Sequence, residues 1–344
     1  MSLPKFIIST KEAAGILQVP PPCNYREVEK KYPLLVNEYY LGLIDAAAGN
    51  IENDPIWRQC LPAAEELEDE TSNSDPLAEE AQMPTPRLIR RYPDRAVLLA
   101  TGRCALRCRF CFRKRTWADG NELKDISPAE LAAVCAYLRK TPEISEVLVS
   151  GGDPLLLSVE KLRRILDELN SLESVSVLRL GSRVPAVMPS LVSPETIRML
   201  GAYPGLWLLT HFNHPRELTT ESLRLCRDLV GAGIPVLNQT VLLKNVNDDA
   251  DVLEELFRGL IAAKVKPHYL YHVDPVRGVR HFATGIAKGL EIMKAFRARL
   301  SSLAVPTFAI DLPEGGGKVA LQPDYRCDGK YPSVIDGRLI DYPG

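Results

Sequence analysis

The sequence lacks the features that would mark it for a membrane, a secreted scaffold or a nucleic acid. No apolar run approaches the ~20 residues of a membrane-spanning helix. The N-terminus has no basic segment followed by an apolar core, so no secretory signal is evident. Net charge is only −2 over 344 residues, which gives the chain as a whole no basic footprint for nucleic acid. Five of the eight cysteines, Cys23, Cys60, Cys135, Cys226 and Cys327, are scattered. A disulfide framework is therefore not expected, and a reducing, cytoplasmic setting is. Of these five, Cys327 is the one candidate for an extra metal ligand. The composition, 46% hydrophobic and 25% charged, is that of an ordinary globular chain long enough for one large domain with appendages.

The other three cysteines lie together, in Cys104-Ala105-Leu106-Arg107-Cys108-Arg109-Phe110-Cys111. This CxxxCxxC loop directly follows Ala96-Val97-Leu98-Leu99-Ala100, which reads as a buried strand. An iron–sulfur cubane normally takes four thiolates. Three from one loop leave one iron open for a ligand, as a cluster that does chemistry requires. A zinc site or three unrelated thiols is the alternative, but zinc usually wants four protein ligands and no second CxxC pair exists. With an aromatic before the last cysteine, the loop resembles the radical S-adenosylmethionine (SAM) superfamily. The resemblance implies a 4Fe-4S cluster on Cys104, Cys108 and Cys111, with SAM on the open iron.

From about residue 91, strand patterns alternate with helical ones. Strands are expected at 95–101, 145–150, 175–181, 206–212, 235–243, 266–272 and 306–311. Helices are expected near 127–140, 158–171, 193–202, 219–232, 249–264 and 284–301. This alternation argues for parallel strands with right-handed crossovers. Polar residues recur at the C-terminal strand ends, which favours a barrel over an open sheet. The superfamily resemblance implies a partial (β/α)6-type barrel. The expected organisation is an α/β fold with an N-terminal helical extension over 1–90, the core barrel over 91–305 and a short C-terminal segment over 306–344. In the extension, Tyr25 to about Ala48 carries a helix-like pattern with a break near Pro33. Leu61 to Met83 is acidic and turn-rich, with Glu65, Glu66, Glu68, Asp69 and Glu70. Such runs are usually solvated faces or connectors. A lid, a wrapping arm or a subunit contact is expected there.

Two glycine-rich stretches follow strands. Ser150-Gly151-Gly152-Asp153-Pro154 lets backbone approach a ligand closely. It resembles the superfamily motif that holds the SAM amino group, which implies cofactor contacts at Gly151, Gly152 and Asp153. Pro313-Glu314-Gly315-Gly316-Gly317-Lys318 is not a phosphate loop, because Val319 follows the lysine and no glycine stands five positions before Gly317. A flexible arm presenting an amine to an aldehyde is a better use.

That second stretch resembles the PGGGGK motif of the lysine 2,3-aminomutase family, departing only at Glu314. The resemblance runs from about Leu88 to Lys318. It implies that Lys318 carries pyridoxal 5′-phosphate (PLP). From Arg91-Tyr92-Pro93-Asp94-Arg95 it implies that Tyr92 and Arg95 contact the PLP ring and its surroundings, with Arg91 supporting the phosphate end. His211, in Thr210-His211-Phe212-Asn213-His214, and Gln239 are expected near SAM. Arg179, Ser182 and Arg183 are candidates for the SAM carboxylate or the PLP phosphate. Arg113 matches the arginine that grips the substrate carboxylate, a task suited to a planar guanidinium. Asp274 and Asp311 match the two carboxylates that bind a distal ammonium, since a cation in a closed pocket needs paired negative charge.

The implied activity is a radical isomerase that moves nitrogen between C2 and C3 of L-lysine, giving β-lysine. A flavodoxin- or ferredoxin-type electron donor and a homo-oligomer are expected, with no nucleic acid and no membrane. Arginine and ornithine are not excluded as substrates by charge. Only 26 residues follow Lys318, whereas fermentative members carry a longer segment with zinc-binding cysteines. Short members that supply β-lysine for elongation factor P are an alternative setting. A radical SAM protein without PLP is another reading. A non-enzymatic iron sensor would explain the cysteines but not Lys318, Arg113 and the aspartates.

Overall fold

The computed structural model describes residues 4–47, 51–69, 72–118, 122–327 and 329–342. Glu70 of the acidic run lies outside the described residues. The chain opens with strand β1 (Phe6–Ile7), helices α1 (Thr10–Leu17) and α2 (Tyr25–Lys31), strand β2 (Val36–Asn37), and helices α3 (Glu38–Leu41) and α4 (Pro55–Cys60). The helix-like pattern breaks near Pro33 as expected, but strand β2 stands between the break and α3, and Ala48 lies outside the described residues. Pro33 lacks a backbone N–H, the chain runs extended after it, and β2 pairs antiparallel with β1.

After β3 (Leu88–Ile89), strand and helix alternate. The units are β4 (Arg95–Thr101), α5 (Pro128–Lys140), β5 (Glu146–Gly151), α6 (Val159–Asn170), β6 (Val177–Gly181), the short α7 (Val184–Val187) and α8 (Pro194–Gly201). They continue with β7 (Leu206–Thr210), α9 (Thr220–Gly231), β8 (Val236–Leu242), α10 (Ala250–Ala262), β9 (Val265–His272), α11 (Ile286–Arg299) and β10 (Thr307–Leu312). Then come β11 (Gly317–Leu321) and a small hairpin, β12 (Tyr331–Pro332) with β13 (Leu339–Ile340). Local chemistry starts these helices where the sequence indicates. Ser127, Ser158, Ser193, Thr219 and Asp249 each cap a helix N-terminus with a side-chain oxygen.

Strands β3 to β11 form one sheet in sequential order. β4 through β10 are parallel, and β3 and β11 join the two edges antiparallel. Among the described residues the two edges do not pair with each other, so the sheet is an open, partial barrel. Burial alternates along the strands. On β5, Val147 and Val149 are fully buried, whereas Glu146, Leu148 and Ser150 on the opposite face are only partly covered. The helices press closely on the buried face: a Cβ at Gly289 of α11 would fall 2.2 Å from the Phe308 ring of β10.

The main hydrophobic core joins Ile7, Tyr40 and Trp57 of the N-terminal segment with Leu98, Val149 and Phe257 of the barrel units. The acidic stretch is only partly a solvated face: Glu65 and Glu68 are exposed, but others are not. Glu66 is fully buried, and Asp69 and Glu79 nearly so. Each is used by a partner far along the chain. Glu66 takes Arg109 in a bidentate pair and also Lys114, and Asp69 accepts from the Gly278 backbone. Among the described residues no helix is long and apolar enough to cross a membrane.

Candidate active site

The cysteine loop leaves the end of β4 and is propped from behind by the N-terminal segment. Arg107 N donates to Leu35 O and Arg109 N to Gln59 O, each at 2.9 Å. Asn37 donates to Ala105 O at 3.1 Å, and the Arg109 guanidinium donates to Tyr32 O. The adjacent Gly-Gly turn is tied to the same loop through Gly152 N to Thr101 O at 2.6 Å and Asp153 N to Arg103 O at 2.7 Å. Only glycine fits this approach. Gly151 has φ +115°, and a Cβ at Gly152 would lie 2.3 Å from the Arg103 carbonyl oxygen.

The three thiols are mutual neighbours. Burial, together with Cys111, Asp153 and Cys108, pushes the Cys104 thiol well up, and burial beside Cys108 pushes Cys111 up to about 11. Buried thiols of this kind ionise only against positive charge or a metal. Arg183 Nη1 lies 2.7 Å from Cys108 Sγ, and the same side chain pairs with Glu217 at 2.8 Å and Gln59 at 2.6 Å. Among the described residues no three His, Cys, Asp or Glu side chains converge on a single ion. A cubane spreads its cysteine ligands over separate irons, so three neighbouring thiols that do not converge on one ion fit a cluster better than a mononuclear metal.

The other residues assigned to this end take different roles. The Asp153 carboxylate is occupied by the start of α7, accepting from Ser182 Oγ at 3.0 Å, Arg183 N at 2.8 Å and Val184 N at 3.1 Å. The amides of Gly152 and Asp153 are likewise taken, by Thr101 O and Arg103 O, so neither they nor the carboxylate are free for a ligand. His211 packs against Phe110 at 5.5 Å and shares a hydrogen bond with Asn213 at 2.9 Å. Burial and Arg183 push it down to about 3, so it is neutral.

The second constellation gathers on β9, β10 and β11 and the segment before β4. Lys318 does not trail the last parallel strand. It sits on β11, opposite Asp311 across the antiparallel pair. Its Nζ lies 2.7 Å from Tyr271 Oη and 3.2 Å from Asp311 Oδ2, and its backbone N donates to Tyr92 Oη at 2.8 Å. Burial lowers the Lys318 ammonium against the opposing pull of Asp311. Arg91 pairs with the other Asp311 oxygen at 3.3 Å. Arg95 lies flat over the Tyr92 ring at 3.7 Å, and Gln239 reaches Tyr271 Oη at 3.4 Å. Burial and the adjacent Asp311 push Asp274 up to about 7, with Lys318 and Arg91 opposing. Arg179 pairs with Glu146. A half-buried amine of lowered basicity, on Tyr271 and Asp311, with Arg91 on the same carboxylate, fits an aldehyde cofactor with an anionic tail.

Arg113 stands at the end of the cysteine loop and turns toward the strand ends. Its guanidinium is nearly buried, with Nε and Nη2 on Glu79 and Nη1 3.5 Å from Ser150 Oγ. Four of these contributors carry no motif in the sequence. Tyr271 is one aromatic in a strand, Glu79 one acid in a run, Glu217 and Gln59 isolated polar residues. Their partners lie tens to hundreds of positions away.

Comparison with known proteins identifies the family. The Radical SAM superfamily model matches residues 98–256, and a Lysine-2,3-aminomutase model matches 293–334. L-lysine 2,3-aminomutase of Acetoanaerobium sticklandii is 43% identical over 88% of this chain and 72% of its own length. L-lysine 2,3-aminomutase of Clostridium subterminale is 41% identical over 97% of this chain and 77% of its own.

The chain belongs to the lysine 2,3-aminomutase family of radical SAM isomerases.

Glutamate 2,3-aminomutase of Clostridioides difficile, another family member, is 39% identical over 87% of this chain and 70% of its own length. Relatives named for lysine and for glutamate are thus almost equally similar. Within the aminomutase family, overall identity does not separate substrates, and the side chains of the site must.

Proposed function

We propose that the protein is a PLP- and SAM-dependent radical aminomutase that interconverts L-lysine and β-lysine. The single observation that carries the lysine assignment is the pair Asp274 and Asp311 beside Lys318. Two carboxylates at one end suit a distal ammonium and repel a distal carboxylate. Arg113, on the other side of the site, suits the α-carboxylate. Lys318 is the PLP lysine in this reading, and Cys104, Cys108 and Cys111 hold the cluster.

When bound, the cofactors supply the radical and the electron delocalisation for the nitrogen shift. The chain supplies the rest. Asp274 and Asp311 bind and orient the distal ammonium, and Arg113 binds the carboxylate, so that C2 and C3 are held at one place along the strand ends. Tyr271 Oη and Asp311 Oδ2 hold the Lys318 Nζ proton. Tyr92, lying under Arg95, fixes the backbone of Lys318. The Gly151-Gly152 turn and His211 serve the SAM side in this reading, and Gln239 reaches Tyr271 at the Lys318 end. The segment from Asp75 to Gln82 holds the Lys318 turn through Pro76 O, which accepts from Glu314 N. A one-electron donor of flavodoxin or ferredoxin type, a homo-oligomer and a cytoplasmic setting complete the reading.

The test loads the protein anaerobically with iron, sulfide and PLP, reduces it with borohydride and maps the modified peptide. The reading expects PLP fixed on Lys318 and none in Lys318→Ala. A panel of lysine, arginine, ornithine and glutamate should then compete in the order set by the distal cation, with glutamate inert. PLP absent from Lys318, or glutamate preferred, would overturn it.

A further inference from the structure

The strap from Asp75 to Gln82 touches both ends of the site. At one end Glu79, 3% exposed, accepts from Arg113 Nε at 2.9 Å and Nη2 at 2.7 Å. This is the side-on edge of the guanidinium. On the end-on edge, Nη1 donates to Ser150 Oγ at the end of β5 over a long 3.5 Å. Arg115 donates to the same Glu79 carboxylate at 3.1 Å and pairs with Asp75 and Glu80. The strap cannot slide without breaking several ion pairs. At the other end, Gln82 Oε1 accepts from Arg91 Nε at 3.1 Å and Leu77 O from Arg91 Nη2 at 3.3 Å. The same Arg91 pairs with Asp311. Pro76 O accepts from Glu314 N at 2.9 Å, and a Cβ on Gly315 would meet Gln82 Nε2 at 2.7 Å. The strap therefore grips the turn that leads to Lys318.

We propose that Glu79 is a positioning residue for substrate: held in the strap, it fixes Arg113 so that the end-on edge meets the α-carboxylate, in register with the carboxylate pair that meets the distal ammonium. This deepens, and rests on, the aminomutase reading of the site. A long arginine side chain left free must be ordered when it grips a ligand, and Glu79 orders it beforehand. Glu79 also neutralises a guanidinium that would otherwise be buried unpaired. It is no stand-in for the substrate, because it takes the side-on edge, whereas the end-on edge carries only a long contact to Ser150 Oγ.

The test uses the full chain loaded with PLP and two ligands, lysine and cadaverine, which is lysine without its carboxylate. Equilibrium binding is measured for the unaltered protein, Glu79→Gln, Glu79→Asp and Arg113→Met. The unaltered protein should prefer lysine, and Arg113→Met should remove the preference. Glu79→Gln should weaken lysine by about tenfold, the loss expected for a charge-assisted contact, and leave cadaverine within about twofold. Glu79→Asp, which keeps the charge, should recover part of the loss. If Glu79→Gln does not fold, Glu79→Asp is judged by the same lysine-selective weakening. Equal weakening of both ligands, or of neither, overturns the role of Glu79. If the unaltered protein does not separate the two ligands, the assignment of Arg113 fails first, and this inference falls with it.

Discussion

Asp274 offers a pH signature that can be worked through in advance. Its carboxyl is raised from the ordinary 3.8 to about 7 by burial and by the adjacent Asp311. That rise corresponds to roughly 4 kcal/mol of disfavoured ionisation. A substrate ammonium needs the ionised form. In the free enzyme about one Asp274 in ten is ionised at pH 6, so kcat/KM should fall about tenfold there from its value above pH 8, and about 100-fold at pH 5. Lysine's own distal amine stays protonated throughout this range. Asp274→Asn should lower kcat/KM at pH 8 by on the order of 100-fold, the cost of losing one partner of a buried charge pair. It should also flatten the dependence between pH 5.5 and 8. Initial-rate measurements across that range, with β-lysine read by chromatography, decide it. A flat profile in the unaltered protein, or an unchanged limb in Asp274→Asn, would refute the assignment. The stability sign runs the other way: the folded state holds this proton longer than the unfolded one, so the raised Asp274 erodes stability as pH rises from about 4 to about 7.

Further outcomes follow from the packing and the loop. Glu66→Ala leaves Arg109 and Lys114 buried without their anion and should cost about 3–5 kcal/mol in urea unfolding. Burial opposes ionisation of Glu66, but Arg109 and Lys114 outweigh it and hold the group below its ordinary 4.5. Its contribution is therefore full above pH 4.5 and lost on acidification through the lower folded value, and Glu66→Ala should blunt that acid limb. Gly289→Ala drives a methyl into the Phe308 ring and should lower the unfolding free energy by about 1–3 kcal/mol. Serine at Cys104, Cys108 or Cys111 should abolish iron uptake on anaerobic reconstitution, whereas Cys327→Ser should leave the iron content unchanged.

Much of the barrel was readable because its signals are local. Ser127 with Glu130, Ser158, Ser193 and Thr219 announce helix starts within a few residues, and apolar runs mark the strands between them. The cysteine loop and the glycine turn were readable for the same reason, since each ligand set lies within one short segment. β11 was missed because three glycines precede Lys318 and hide a strand whose stability comes from pairing with β10. The partners of the acidic stretch were hidden because nothing near Glu66 or Glu79 announces that their arginines stand 43 and 34 residues later. Tyr271 was invisible as the holder of Lys318, 47 residues away, and Asp153 could not reveal that its carboxylate would be used up at the start of α7.

The measurement that bears most directly on the account is anaerobic turnover of L-lysine by the protein reconstituted with iron, sulfide and PLP, with SAM and a strong one-electron reductant present. The account predicts conversion of lysine to β-lysine with no net consumption of SAM, and no product from glutamate. SAM cleavage with lysine unchanged, or a β-amino product from glutamate, would contradict it.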